Sequence, residues 1–473
     1  MKKKGLLFSC IFCFFAICFL FQKVNCKENA EALEPDVVYV TLDTSFIHFE
    51  NESNLKSLPV YDRSDNSARE FFSKSNVKYI IRHTHKFDSI SIPENSELFF
   101  DGGSLSGSIY FNNTYLSGNV RLRGSKLFGA ISNRCFYSNW LCYGDSKHDD
   151  AQNINSMLSV CDNIIFQAGT YNLKSFHRPN PMLNKKFVNS VVAHIGIFQS
   201  NKHLIGEDSV AFLIEDEKQT CCIYSIPGNI DKSISNIGIS NIQFVVKNKK
   251  DEFHEFFHTI KTIGVNGLSI KDCTFYDFLG DAICLSHYGD NPSTGERTRN
   301  SNVIISGNTI WGSSHNNRNG ISVINGEEVR ICNNCIYETS SANMPGAIDI
   351  EANNSAYTIN RITIEENEIV GSKGSGAAIG VICNKKNAPA YNIIIKNNRI
   401  SRSNRGLLFI ISNEDCTENF EISGNFVDEY TSPYYFGGKG YSKNWKCFDN
   451  HFKKKISSKI GGNINIQNLK TQR

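Results

Sequence analysis

Short apolar–polar alternations separated by turn residues dominate the chain after about residue 77. One phrase recurs in the second half: Ile305-Ser-Gly-Asn308-Thr-Ile310, Ile331-Cys-Asn-Asn334-Cys-Ile336, Ile364-Glu-Glu-Asn367-Glu-Ile369, Ile395-Lys-Asn-Asn398-Arg-Ile400 and Ile422-Ser-Gly-Asn425-Phe-Val427. The Asn-to-Asn steps are 26, 33, 31 and 27 residues. Weaker copies precede it at Ile270–Phe275 and Ile239–Phe244. Alternate apolar positions define one buried face of a strand. A turn Asn repeated coil after coil can pair its amide with the Asn of the next coil, as in stacked strands. Uneven steps are accommodated as loops on one face. The pattern therefore predicts an all-β solenoid, a parallel β-helix, rather than a leucine-rich repeat, whose leucine consensus is missing.

A second column follows. Asp281-Ala-Ile-Cys-Leu285, Asn319-Gly-Ile-Ser-Val323, Ala347-Ile-Asp-Ile-Glu351, Ala377-Ala-Ile-Gly-Val381 and Arg405-Gly-Leu-Leu-Phe409 align as strands. Ile283, Ile321, Ile348, Ile379 and Leu407 are expected to point inward. Cys284, Ser322, Asp349, Gly380 and Leu408 are expected to point out of the core, on an exposed face.

The first half reads differently. Residues 27–77 show no period. Residues 78–140 predict short strands at Lys78–Arg82, Ser89–Ile92, Leu98–Phe100, Ser108–Phe111 and Asn119–Leu122, either a small β domain or the first narrow coils of the same solenoid. Ile154, Met157, Leu158 and Cys161 fall at helical spacing after Asp149-Asp150, a natural N-cap. This predicts a helix over 151–161 that covers the end of the coil stack. The β-helix is expected to run over 141–452, with a polar tail at 453–473.

Composition changes the picture in three ways. The 54 Asn among 473 residues fit a chain made of tight turns. The formal charge of +3 is concentrated at the start, where Lys2, Lys3, Lys4 and Lys23 stand without an acid. Without residues 1–26 the balance is 46 basic against 47 acidic residues, which argues against nucleic acid as a partner. Of the 16 Cys, four lie within residues 1–26 and the rest are scattered, so no small disulfide framework is indicated. Cys332-Asn-Asn-Cys335 reads as two rung positions around a turn Asn.

Lys2–Lys4 followed by the apolar run Gly5–Phe21 reads as an export signal spanning residues 1–26. A membrane association would require lipidation at Cys26 or retention of this segment as an uncleaved anchor. The expected location is exported: periplasmic, cell-surface or secreted.

Gly144-Asp145, Asp149-Asp150 and Gly169-Thr170-Tyr171 resemble the opening pattern of the pectate-lyase-like, right-handed parallel β-helix superfamily, with Ser146 in place of a family glycine. Asp101-Gly-Gly-Ser-Leu and Trp140 resemble the N-terminal part of its bacterial and phage-associated members. The resemblance covers about residues 78–452. It implies a right-handed β-helix with an N-terminal capping helix, and a polysaccharide held on the exterior of the coils, but leaves the reaction open.

Candidate chemistry concentrates on the second column. Asp349 and Glu351 lie two apart on one strand, with Cα atoms about 6.6–6.8 Å apart. Glycosidase carboxyl pairs span roughly 5–9.5 Å, so the pair can serve as acid and base, or hold calcium. Asp281 begins the equivalent strand two coils earlier, roughly 10 Å away at about 4.8 Å per coil. Gly280-Asp281-Ala-Ile resembles the Gly-Asp-Asp-Cys-Ile segment of polygalacturonase-like hydrolases, with Ala282 in place of the second Asp. Arg318 can neutralise a uronate or act as a lyase base, and His315 can exchange a proton near neutral pH. His287, Tyr288, Arg297 and Trp311 are candidate substrate contacts. No cofactor is indicated beyond possible Ca2+. These residues point to cleavage of a polysaccharide by a hydrolase or lyase, or to a non-catalytic glycan-binding or adhesive surface on the same scaffold.

Overall fold

The computed structural model describes residues 60–61, 71–453 and 470–471, apart from 62–70, 177–191, 216–219, 228–231, 248–254, 289–292, 294–295, 297, 313–316, 340–345, 353–355, 373–376, 384–388, 412–416, 431 and 438–443. The predicted export segment, Cys26, residues 27–59, His315, Arg297 and most of the tail lie outside the described residues. None of the described helices is long and apolar enough to cross a membrane.

Three parallel sheets of 12, 9 and 11 strands run along the chain, each strand pairing with its counterpart one coil away. This is a right-handed parallel β-helix. One coil shows the plan: Gly326–Cys332 in the 11-stranded sheet, Cys335–Tyr337 in the 12-stranded sheet, then Gly346–Glu351 in the 9-stranded sheet. The corner between the first two is one residue with left-handed backbone, followed by a buried Asn. Asp272, Asn333, Glu366, Asn397 and Asp449 take the left-handed position with φ between 53° and 57°.

The Asn residues form the predicted ladder. The amide Nδ2 of Asn308 donates to Asn334 Oδ1 at 2.9 Å, Asn334 to Asn367 at 2.9 Å, Asn367 to Asn398 at 2.9 Å and Asn398 to Asn425 at 2.9 Å. The ladder continues one rung further than the sequence reading, to Asn450 at 2.8 Å. Each Oδ1 also accepts the main-chain N–H of the preceding rung. Buried polar groups are thus satisfied by one another. Two residues beyond the ladder position, an aromatic column stacks in the earlier coils: Phe212 lies 5.6 Å from Phe244, and Phe244 stacks 5.1 Å from Phe275. From Ile310 onward isoleucine takes over the same register.

Residues 78–131, with Val60–Tyr61, form a six-stranded parallel sheet of their own. Lys78 pairs with Glu97, and Glu97 with Tyr115, all in parallel. These are narrow coils of 18–19 residues, and their apolar residues join the same continuous core as those of the wide coils. Asn119–Leu122 is not a strand, contrary to the expectation. Positive φ at Gly118 and Gly124 turns the chain on either side, and the strand is Ser125–Ile131 instead.

The helix spans Ala151–Val160 and buries Ile154, Met157 and Leu158. Its start departs from the expected cap. Asp149 accepts the N–H of Ala151 at 3.1 Å together with those of Lys174 and Ser175. Asp150 turns back and accepts from Tyr143 and Gly144. The helix does cover an edge. Asn155 accepts the N–H of Gly196 at 2.9 Å and donates to His194 O at 2.7 Å, occupying groups of the first strand of the nine-stranded sheet. Cys332 and Cys335 sit at rung positions.

Candidate functional site

The nine-stranded sheet carries the second column in the register read from the sequence. Ile283, Ile321, Ile348, Ile379 and Leu407 are successive partners, as are Cys284, Ser322, Asp349, Gly380 and Leu408. The first set lies in the core. The second set was expected to be exposed and is not: Asp349 is 1% exposed, and Cys284, Ser322 and Leu408 are buried as well. Strand alternation decides which face a side chain leaves from. Whether that face is covered depends on segments elsewhere in the chain.

The coil between Asp281 and Asp349 joins them. Arg318 Nη1 donates to Asp281 Oδ2 at 3.2 Å, and the N–H of Asn319 donates to Asp281 Oδ1 at 3.2 Å. Asn319 Nδ2 donates to Asp349 Oδ2 at 3.3 Å and to Ser322 Oγ at 2.9 Å, while its Oδ1 accepts the N–H of Gly346 at 3.1 Å. The dipeptide Arg318-Asn319 therefore holds a carboxyl group of the coil before and one of the coil after. On the far side of this strand, Gly346 permits close stacking on the following coil, because a Cβ there would lie 1.7 Å from Ala377 O.

His258, which the sequence reading missed, completes the cluster. Its Nδ1 accepts the N–H of Asp281 at 3.2 Å and lies 3.3 Å from Asp281 Oδ2. Burial lowers its pKa to about 4, outweighing the pull of the Asp281 carboxylate. The imidazole is therefore neutral at pH 7, and its contact with Asp281 is not an ion pair there. His258 carries no motif, and Asn319 was read only as the start of a strand phrase; the stacking of coils brings them to Asp281.

Asp349 lies in the opposite regime. Burial pushes its pKa well above the carboxylate range, and the neighbouring Glu351 adds to the shift, against the favourable field of Arg318. A side-chain hydrogen bond with Glu351 also favours the protonated form. Glu351, half-buried, stands two residues further along the strand. Burial opposes the charge of Arg318, but the Asp281 carboxylate beside it holds it protonated.

The remaining candidates disperse. His287 lies past the C-terminal end of strand Ile283–Leu285, with its ring 4.1 Å from that of Tyr357. Tyr288 packs against the cluster of Ala193, Cys221, Tyr224, Ile226 and Ile263. Trp311 belongs to the 12-stranded sheet, exposed and 5.2 Å from Tyr337, so it is on a different sheet from Asp349. Ala282 is part of the core.

His258, Asp281 and Cys284 bring one potential ligand atom each within 4.8 Å of one another. This set is not the Asp349–Glu351 pair for which calcium was considered, and it does not suit that ion. Calcium takes 6–8 oxygen ligands. Here one donor is an imidazole nitrogen already occupied by an N–H. Another is a thiol that burial holds protonated, and Arg318 neutralises the one carboxylate.

No protein-family model matches the chain, and no curated protein matches its sequence. Among solved structures, it is similar to PfbA, a surface adhesin of Streptococcus pneumoniae, at 12% identity and a TM-score of 0.37, over 65% of this chain and 88% of that one. A family 28 exopolygalacturonase of Yersinia enterocolitica is similar at 10% identity and a TM-score of 0.31, over 82% and 78%. The catalytic domain of a GH87 alpha-1,3-glucanase matches at 12% identity and a TM-score of 0.31, over 64% and 69%. The parallel β-helix itself rests on the strand register of this chain.

Proposed function

We propose that this chain is an exported polysaccharide-acting protein that hydrolyses a glycosidic bond at the Asp349–Glu351 pair. The observation that carries the reading is the buried, proton-holding Asp349 beside the half-buried Glu351, with the Arg318 cation close by. Paired carboxyl groups driven to different protonation states are the working parts of glycosidases. The pair supplies a proton to the departing glycosidic oxygen as the C–O bond breaks. The remaining carboxylate takes a proton from the water that adds to the anomeric carbon. Arg318 favours an anionic sugar at this place. Export rests on residues 1–26 of the sequence.

The test is a polysaccharide depolymerisation screen of the secreted protein, read by new reducing ends and by absorbance of unsaturated uronates. Reducing ends without that absorbance support hydrolysis. Asp349→Asn and Glu351→Gln should each then lower turnover by about 10²–10⁴, the usual contribution of a positioned acid or base. Unsaturated products would replace this mechanism by an elimination.

The second reading is a glycan-binding or adhesive surface without turnover. It is favoured by the burial of Asp349 and Asp281, which are 1% and 0% exposed. Saturable binding with silence in both product channels would select it.

A further inference from the structure

The narrow N-terminal coils carry an outward face unconnected with the Asp349 cluster. Tyr110 and Phe128 are register partners on adjacent coils. Their rings are stacked, with centroids 4.6 Å apart and planes within 16°. Both are exposed, at 43% and 38%, although large apolar side chains on a β-helix have a core available to them. The same face continues with Ser91, the partner of Tyr110 one coil earlier, and with Ser89, Asn112, Lys126 and Ala130. Ser89, Ser91, Asn112, Lys126 and Ala130 are all exposed. Asn112 Nδ2 is fixed by Ser91 Oγ at 3.1 Å and by Ile92 O. No carboxylate occupies these positions.

We infer that Tyr110 and Phe128 form a second glycan-binding site, a platform on which the pyranose rings of a polysaccharide stack. The π-faces carry negative potential and attract the polarised C–H groups on one face of a sugar. Ser89, Ser91 and Lys126 supply hydrogen-bonding groups around the rings for the hydroxyls. The small side chain of Ala130 beside Phe128 leaves the approach flat. The aromatic part of the face is small. At about 200 Å² per aromatic side chain, the two exposed portions offer roughly 150 Å², against about 800 Å² per partner in a stable protein interface. A platform of this kind would tether a long chain to the protein whether or not the Asp349 cluster turns it over.

The experiment is affinity electrophoresis of the full chain in gels containing polygalacturonate, xylan, galactomannan or soluble starch, with sizing of the free protein alongside. Wild type should be retarded by at least one of them. Y110A/F128A should weaken that retardation about tenfold, from the stacking contribution of two rings. Y110F should bind as wild type, because the ring and not the hydroxyl carries the contact. Asn419→Ala, at an exposed position of the C-terminal coils, should also bind as wild type, which ties the loss to the aromatic pair. Should the double alanine variant fail to fold, Ala130→Lys replaces it: a long side chain at an exposed position beside Phe128 should block the face. Four results would overturn the proposal: no retardation of wild type in any gel, undiminished retardation of the folded double variant, undiminished retardation of Ala130→Lys when that variant is used, or a change of oligomeric state in place of lost retardation.

Discussion

Replacing Asp349 by Asn should change how stability depends on pH, and the structure gives the sign. Asp349 keeps its proton in the folded state far above the pH at which an unfolded Asp, with a pKa of about 3.9, loses it. Unfolding therefore releases a proton above about pH 4, and stability falls as pH rises, by up to about 1.4 kcal/mol per unit, until the folded acid titrates. His258 works in the opposite direction. Its folded pKa of about 4 lies below the ordinary 6.5, so unfolding takes up a proton between those values. Stability rises with pH across that window, by about 3 kcal/mol in total. In the wild type the two slopes oppose each other between about pH 4 and 6.5, and above 6.5 only the decline from Asp349 remains. Asp349→Asn removes that decline and exposes the rise due to His258. Urea unfolding of both proteins at pH 5, 6.5 and 8 measures this, and groups common to both cancel in the difference. The variant should gain stability relative to wild type with each step upward in pH. Parallel profiles for the two proteins would refute the reasoning, because Asp349 would then titrate alike in the folded and unfolded chains.

Two further outcomes follow from the same contacts. Asn367→Ala strands the buried main-chain N–H of Asn334, which donates to Asn367 Oδ1, while the Asn334 amide keeps Ile305 O and Cys332 O; it should cost about 1–3 kcal/mol. Hydrogen exchange should localise the loss to residues 326–337 and 359–370, whereas Asn419→Ala on the exposed Asn pairs should cost under about 0.5 kcal/mol. Arg318→Ala leaves the carboxylate of Asp281, which is 0% exposed, without its cation; a loss of about 3–5 kcal/mol in urea unfolding is expected.

The sequence by itself determined the solenoid. The recurrent Ile-x-x-Asn-x-Ile phrase sets the strand alternation, the corner and the ladder at once, and all three are local or one coil away. The register of Ile283, Ile321, Ile348 and Ile379 was legible for the same reason: in a parallel stack, the repeat is the register. Asn450 was missed because Phe448-Asp-Asn-His451-Phe lacks the flanking isoleucines. The helix and its buried residues were legible from spacing, but the roles of Asp149 and Asp150 were not, since their partners lie at Tyr143, Lys174 and Ser175.

Only the tertiary structure decided the environment of the site. Alternation places Asp349 off the core, yet its burial and its proton come from what lies over that face. The link from Asp281 through Arg318-Asn319 to Asp349 depends on three coils separated by loops of unequal length. His258 joins it from a fourth segment with no recurring phrase. Trp311 was a plausible partner by sequence distance and stands on another sheet, because one corner of the coil lies between it and Arg318. A repeat fixes where each coil's backbone goes. The charges that meet between coils are set by the stacking of different side chains at one position, which no single repeat contains.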